Sequence, residues 1–354
     1  MKNKNNRALT ALLAALALCL ALAACGTAAP TPPAADAAPA GIEAGAAEES
    51  VDTAEESVDT TLPLRVVTLN GTTGFGMAGL ISKAAAGDAA LNYSFTVESD
   101  ASNVTAALVS GDCDVAALPT NAAAALYNKT GGGVQVLALN TRGVLYLVTD
   151  GTAEPECIAD LAGQTVYVPA QNPSWIFDYL CRENAVDVNI DNSYAQPVEL
   201  NAAAAAGEIS LAVLPEPMVT IACSQNPDLH VALDLTAEWD KVSPPGSLVQ
   251  GCVVVRSDFA AQHPAELAVF LEEYGASVAL LSEDAAAAAQ LIEESGIFAK
   301  AAVAQKAIPN CNVCFVTGEE MREQLSAFLE IMAGTAPQSI GGGVPGDDFY
   351  CILK

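Results

Sequence analysis

VVTLNGTTGFGMAG, residues 66–79, reads as the end of a buried strand, a glycine-rich turn and the opening of a helix. Residues 65–69 form the strand, short and rich in β-branched side chains. The turn holds Asn70, Gly71, Thr72, Thr73 and Gly74, and the helix runs from it to about Ala86. A helix opened by Gly and Thr leaves backbone N–H groups unpaired at the positive end of its dipole. Such an opening suits a small polar or anionic ligand. It serves equally as an ordinary βα turn whose glycines supply geometry alone. The rest of the chain has to decide between the two.

Outward from that turn, strands and helices alternate. Residues 92–97 place Tyr93, Phe95 and Val97 on one face of a strand, and a helix over 101–110 ends at Gly111. Residues 115–118 are a short buried strand. Pro119, Thr120 and Asn121 are its turn, with a helix over 122–128. Strands follow at 134–141 and 143–149. The βαβαβ order predicts a parallel sheet with helices on both faces. The pattern restarts after Thr149. A helical turn at 158–161 precedes a strand at 165–169, and the turn 170–174 opens a helix over 175–184. A turn at 189–190, a short strand at 196–198 and a helix at 202–207 come next. The strand 211–214 ends in Pro215, Glu216 and Pro217, which open a helix over 218–224. After strands at 229–235 and 249–256, helices dominate: 264–281, 284–295, 299–307 and 318–332. The glycine-rich residues 340–350, IGGGVPGDDFY, follow no strand and lack the Lys of a phosphate loop. They read as a tail that packs Phe349 and Tyr350.

The chain has 354 residues, enough for one large or two medium domains. Its 52% hydrophobic and 5% aromatic content demands a core of Ala, Val and Leu. At the start, Lys2, Lys4 and Arg7 precede an apolar run over 8–21, too short for a comfortable membrane span. Leu22, Ala23, Ala24, Cys25 and Gly26 then resemble a bacterial lipobox. That reading makes residues 1–24 a signal peptide and Cys25 a lipidated anchor at the outer face of the cytoplasmic membrane. Residues 25–61 are rich in Ala, Pro and acids, and AEESVDT occurs twice, at 47–53 and 54–60. They read as a flexible acidic linker. A formal charge of −28 argues against nucleic acid as a partner. Cys311 and Cys314 have CxxC spacing. With no second pair and only two His in the chain, they make a poor zinc site.

Three turns share one design, at 70–74, 119–121 and 170–174, and residues 215–217 add a fourth. Each follows a buried strand and opens a helix. In open α/β sheets, ligands sit at the carboxyl ends of strands against helix N-termini. Two consecutive α/β units would face such turns at each other across a cleft.

The stretches LNGTTGFGMAGL (69–80), GDCDVAALPTNAAAALYNKTGG (111–132), LAGQTVYVP (161–169), LAVLPEPM (211–218) and CVVVRSDFAAQHPAELAVFLEEY (252–274) together resemble one family. It is the substrate-binding proteins of ABC importers, in the periplasmic-binding type II branch for nitrate, sulfonates, taurine and thiamine precursors. The resemblance implies an α/β, two-lobed fold with a two-strand hinge. Lobe 1 would be residues 62–148 plus 252–354, and lobe 2 residues 149–251, with crossings near 147–153 and 247–253. It implies a monomer that captures a small molecule and delivers it to an ABC permease, without cofactor or catalysis. The implied ligand-binding residues are Asn70, Gly71, Thr72, Thr73, Gly74, Thr120 and Asn121 in lobe 1. In lobe 2 they are Gln171, Asn172, Trp175 and Glu216. Trp175 either stacks on a flat ligand or packs the core. Glu216 either pairs with an amino group or favours its own helix's positive end. Arg142, near the hinge, either meets an anion or is a surface charge. The ligand is then a sulfonate, nitrate or a thiamine-precursor-like heterocycle, with Trp175 and Glu216 leaning toward the last. A surface sensor using the same cleft is one alternative. Another is a pyrimidine synthase of related fold. That enzyme needs a Lys for pyridoxal phosphate and a dense Cys cluster, and the turns here supply neither.

Overall fold

The anticipated first strand is β1 (Pro63–Leu69), and its side chains divide between two faces as a pleated backbone requires. Leu64 and Val66 enter one core cluster and Val67 and Leu69 another. The structure is a computed structural model that describes residues 57–353. The leader, the expected lipidation at Cys25 and the linker up to residue 56 lie outside them.

After β1 come α1 (Thr72–Phe75), α2 (Ala78–Ala86), β2 (Asn92–Glu98), α3 (Ala101–Ser110), β3 (Val115–Pro119), α4 (Thr120–Thr130) and β4 (Val134–Arg142). A second group follows: β5 (Leu145–Thr149), β6 (Thr165–Tyr167), α5 (Asn172–Glu183), β7 (Asn189–Asp191), α6 (Pro197–Ala205), β8 (Leu211–Pro215), α7 (Met218–Gln225), β9 (His230–Asp234) and α8 (Leu235–Val242). The chain then makes β10 (Val249–Arg256), α9 (Ser257–Gln262), α10 (Pro264–Glu283), α11 (Ala285–Glu294), α12 (Ala301–Ala307), β11 (Val313–Val316) and α13 (Gly318–Thr335).

The strands form two sheets, ordered β11-β4-β10-β3-β1-β2 and β7-β6-β8-β5-β9. Both are mixed, which corrects the expectation of parallel sheets. β1 runs parallel to β2 and β3, but β10 lies antiparallel between β3 and β4. In the second sheet β5 is antiparallel to β8 and β9. The reason is that β10 returns from the second sheet and enters the first from the opposite end. Uniformly apolar strands such as β3 and β10 carry no mark of their direction.

β5 sits wholly in the second sheet, so the outward crossing is Gly143 and Val144, earlier than the 147–153 anticipated. Asn140, Thr141, Arg142 and Gly143 interrupt the apolar run between β4 and β5, and that polar break falls at the change of sheet. The return runs through residues 243–248, between α8 and β10. Two local expectations also fail. Residues 196–198 begin the helix α6, with Pro197 at its first position. Residues 189–191 are the edge strand β7 rather than a turn.

Each sheet is covered on both faces. One core cluster fills the space between the first sheet and α2, α10 and α11. Another covers the far face of the second sheet with α6 and α7. The third is continuous between the sheets and joins α3, α4 and α13 to α5 and α8. Its centre is Trp239 of α8, with Tyr179 of α5 at 4.8 Å and Phe328 of α13 at 6.0 Å between ring centroids. The Trp239 indole N–H donates to Ser247 Oγ at 2.9 Å, which satisfies its one polar atom.

Candidate functional site

The opening turn is tighter than its sequence suggests. Gly71 caps α1 with φ 78 and ψ −162, a conformation that side-chain-bearing residues rarely adopt. α1 is a single turn, and the chain re-enters a helix only at Ala78. The anticipated continuous helix to Ala86 is therefore broken. Gly76 packs against α10 at the break: a Cβ there would lie 2.9 Å from the Tyr274 hydroxyl. One turn sums few peptide dipoles, so its anion-attracting field is weak.

The groups of this turn are mostly paired. The N–H of Asn70 donates to Glu98 O at 2.8 Å, and that of Gly71 to Ile297 O at 3.0 Å. The Thr73 carbonyl accepts from Asn140 Nδ2 at 3.1 Å. Asn140 is 1% exposed and its Oδ1 accepts from Thr141 Oγ1 at 3.0 Å. The Thr72 hydroxyl donates to the backbone carbonyl of Glu216 at 2.9 Å and lies 3.8 Å from Cys311 Sγ. Gly74 is buried, and a Cβ there would collide with the Leu69 carbonyl.

Thr120 opens α4, fully buried, with its hydroxyl donating to Val249 O at 2.7 Å. It ties β3 to β10 instead of facing a ligand. Beside it Asn121 keeps a buried carboxamide oxygen with no partner. The corresponding opening in the second sheet has the same feature. Asn172, the first residue of α5, also buries an unpartnered carboxamide oxygen. Gln171, exposed, caps that helix with φ 65 and ψ −128, a strained conformation for a residue with a Cβ. Trp175 is partly buried and packs against the central core cluster.

Glu216 is 4% exposed. Its Oε2 accepts from the Thr220 N–H at 3.1 Å and its Oε1 from Thr220 Oγ1 at 3.0 Å. The carboxylate thus caps α7 from within the same turn. Burial pushes its pKa up, opposed by the hydrogen bonds from Thr220. Arg142 ends β4 within 3.7 Å of Glu320 Oε1.

Of the anticipated residues, Thr72 and Glu216 meet directly, from different sheets. Thr120 and Glu216 turn their polar atoms to protein partners. Asn121 and Asn172 present unpartnered buried carboxamide oxygens, one from each sheet's helix openings, and Arg142 likewise buries an unpartnered Nε. Sequence reasoning missed Asn140, which bonds the first turn, Asn312, which bonds the crossing, and Tyr146 and Asn310, which bond each other. Asn140 lies inside an apolar strand, where a lone amide was the available signal. Cavities of about 380 and 530 Å³ lie elsewhere. The smaller is at the opposite end of the first sheet, by Arg256 and Asp258. The larger lies against α10 and β11, by Phe315 and Cys314. Among the described residues the cysteines are free, no cluster of three His, Cys, Asp or Glu could hold a metal, and no helix is long and apolar enough to cross a membrane.

No protein-family profile and no curated protein matches the sequence. Solved structures do match. An ABC transporter structure from Parabacteroides distasonis superposes with a TM-score of 0.70 at 24% identity, covering 82% of this chain and 99% of that one. The periplasmic aliphatic sulphonate binding protein of Escherichia coli gives 0.63 at 13% identity, covering 80% and 94%. The alkanesulfonate-binding protein of Xanthomonas axonopodis pv. citri, bound to MOPS, gives 0.57 at 13%, covering 79% and 94%. The chain therefore has the two-lobed α/β fold of the periplasmic binding proteins, one sheet to each lobe.

Proposed function

We propose that this protein is the extracytoplasmic solute-binding component of an ABC importer. It captures a small molecule between its lobes and hands it to a membrane permease. The likeness to binding components of import systems supports this reading. The observation that carries it is the pair of unpartnered buried carboxamide oxygens on the partly buried Asn121 and Asn172, each at a helix opening, one following a strand of each sheet. A buried polar group without a partner is costly, and a ligand that bonds both would repay that cost only when the lobes close. The lipid anchor at Cys25 and the outer-face location belong to the same reading and rest on the leader sequence; the monomeric state belongs to it by the resemblance alone. The absence of catalysis belongs to it too.

The solute classes are sulfonates, nitrate and thiamine-precursor-like heterocycles. Glu216 no longer favours an amine, because its carboxylate is occupied by Thr220. A carboxamide presents its oxygen or its NH₂ after a simple flip, so the Asn pair can meet a donor or a sulfonate oxygen. A thermal-shift screen over sulfonates, nitrate, pyrimidines, amino acids and polyamines, followed by scattering on each hit, tests the reading. A true solute raises Tm and shrinks the radius of gyration. If no compound of any class does either, the proposal falls.

A further inference from the structure

We propose that residues Asn310, Cys311 and Asn312 form a strap that holds the lobes together with no solute bound, using the Thr72–Glu216 contact as its outer end. The strap leaves α12 through a 3-10 turn, Ile308–Asn310, and leads into β11. It belongs to lobe 1, yet its polar groups reach across. The Asn310 carbonyl accepts from the Tyr146 hydroxyl of β5 at 2.7 Å. Asn312 Nδ2 donates to the carbonyl of Gly143, in the outward crossing, at 2.6 Å. The Asn312 backbone has φ 45, a left-handed value that Asn tolerates better than most residues. That geometry lets its own carbonyl accept from the Arg142 N–H at 3.0 Å. Between the two Asn, the Cys311 thiol lies beside Thr72 Oγ1, whose proton goes to Glu216 O. On lobe 2 the Glu216 N–H donates to Val144 O at 2.9 Å, which ties the same turn to the crossing.

The Thr72–Glu216, Tyr146–Asn310 and Asn312–Gly143 bonds are all between neutral groups, and each group is one that water would satisfy if the lobes parted. Such exchanges favour the paired state only modestly. The strap therefore biases the lobes toward closure without locking them, and a solute adds its own binding energy to a partly prepaid change. Two of the four turns anticipated as ligand-facing, 70–74 and 215–217, are occupied by each other. Asn121 and Asn172 belong to the other two. The geometry divides the four turns into a closing pair and a pair left for the solute.

Cys311 supplies the readout. It is fully buried in the closed seam, and burial pushes its thiol up to about 12, so it reacts with alkylating reagents only when the seam opens. Cys252, fully buried in β10 inside the first sheet, reacts only on unfolding and serves as the internal reference. The experiment labels the folded chain with iodoacetamide, no solute present, and follows each cysteine by mass spectrometry. The expected result is that Cys311 labels faster than Cys252. Thr72→Val should raise the Cys311 rate about fivefold, the worth of one lost neutral hydrogen bond, and leave Cys252 unchanged. Tyr146→Phe removes a single hydroxyl from the other end and should act in the same direction, so the test survives if either variant folds poorly. If neither variant changes the Cys311 rate, or if Cys311 labels only in step with Cys252, the strap is refuted. No solute enters this test, so a failed solute screen leaves its result standing, and a refuted strap leaves the import reading untouched.

Discussion

Glu216 illustrates how burial decides between two roles for one side chain. Between prolines it could face a ligand or cap its own helix, and in the fold its two oxygens both go to Thr220. Burial raises its pKa above the ordinary 4.5, so the folded protein keeps a proton that the unfolded chain releases. The stability this contributes is complete below about pH 4.5 and is lost as pH rises through the folded value. Glu216→Gln stays neutral throughout. The Tm of the variant minus that of the wild type should therefore grow as the pH is raised from 4.5 toward neutrality. A difference that stays flat across that range would contradict the assignment. Gly143 is the second residue whose place is dictated by contact. A Cβ there would meet Thr236 Oγ1 and lie 2.6 Å from Leu248 Cδ2. Gly143→Ala should cost about 1–3 kcal/mol, read from urea unfolding midpoints at unchanged m.

At the scale of elements, the helix openings separate by what their polar atoms do. Thr120 and Thr72 spend their hydroxyls on backbone carbonyls, which explains small hydroxyl residues there without any ligand. Asn121 and Asn172 do not, and this leads to an unusual expectation. Asn121→Leu or Asn172→Leu removes a polar group already unpaired in the solute-free protein, so Tm should hold or rise. Affinity for a solute found by screening should fall at least about tenfold, measured by titration calorimetry. A variant that loses Tm and keeps affinity would show the amide to be structural. The turn types were legible because β-branched runs ending in Gly, Thr, Pro or Asn punctuate the chain. The pairing was not, since Thr72 and Glu216 are 144 residues apart and only closure brings them to 2.9 Å.

For the whole molecule, one core cluster runs continuously between the two sheets. Phe328 reaches from α13 to Trp239, joining late chain to the second sheet. Phe328→Ala should cost about 3–5 kcal/mol and lower Tm by about 10 °C. If the core couples the lobes, calorimetry will show that loss with a broadened or split transition. A full-height single transition at the original Tm would mean the lobes stand independently of it. The sequence alone determined most of the alternation of strand and helix and the positions of the four helix openings. These follow from local hydropathy periods and turn chemistry, which act over a few residues. Strand direction within each sheet, the crossing at Gly143, the committed carboxylate of Glu216 and the strap through Asn310–Cys311–Asn312 came only from tertiary structure. Each depends on which distant backbone group fills a hydrogen-bonding or packing vacancy, and uniformly apolar strands and isolated Asn residues carry no record of that partner.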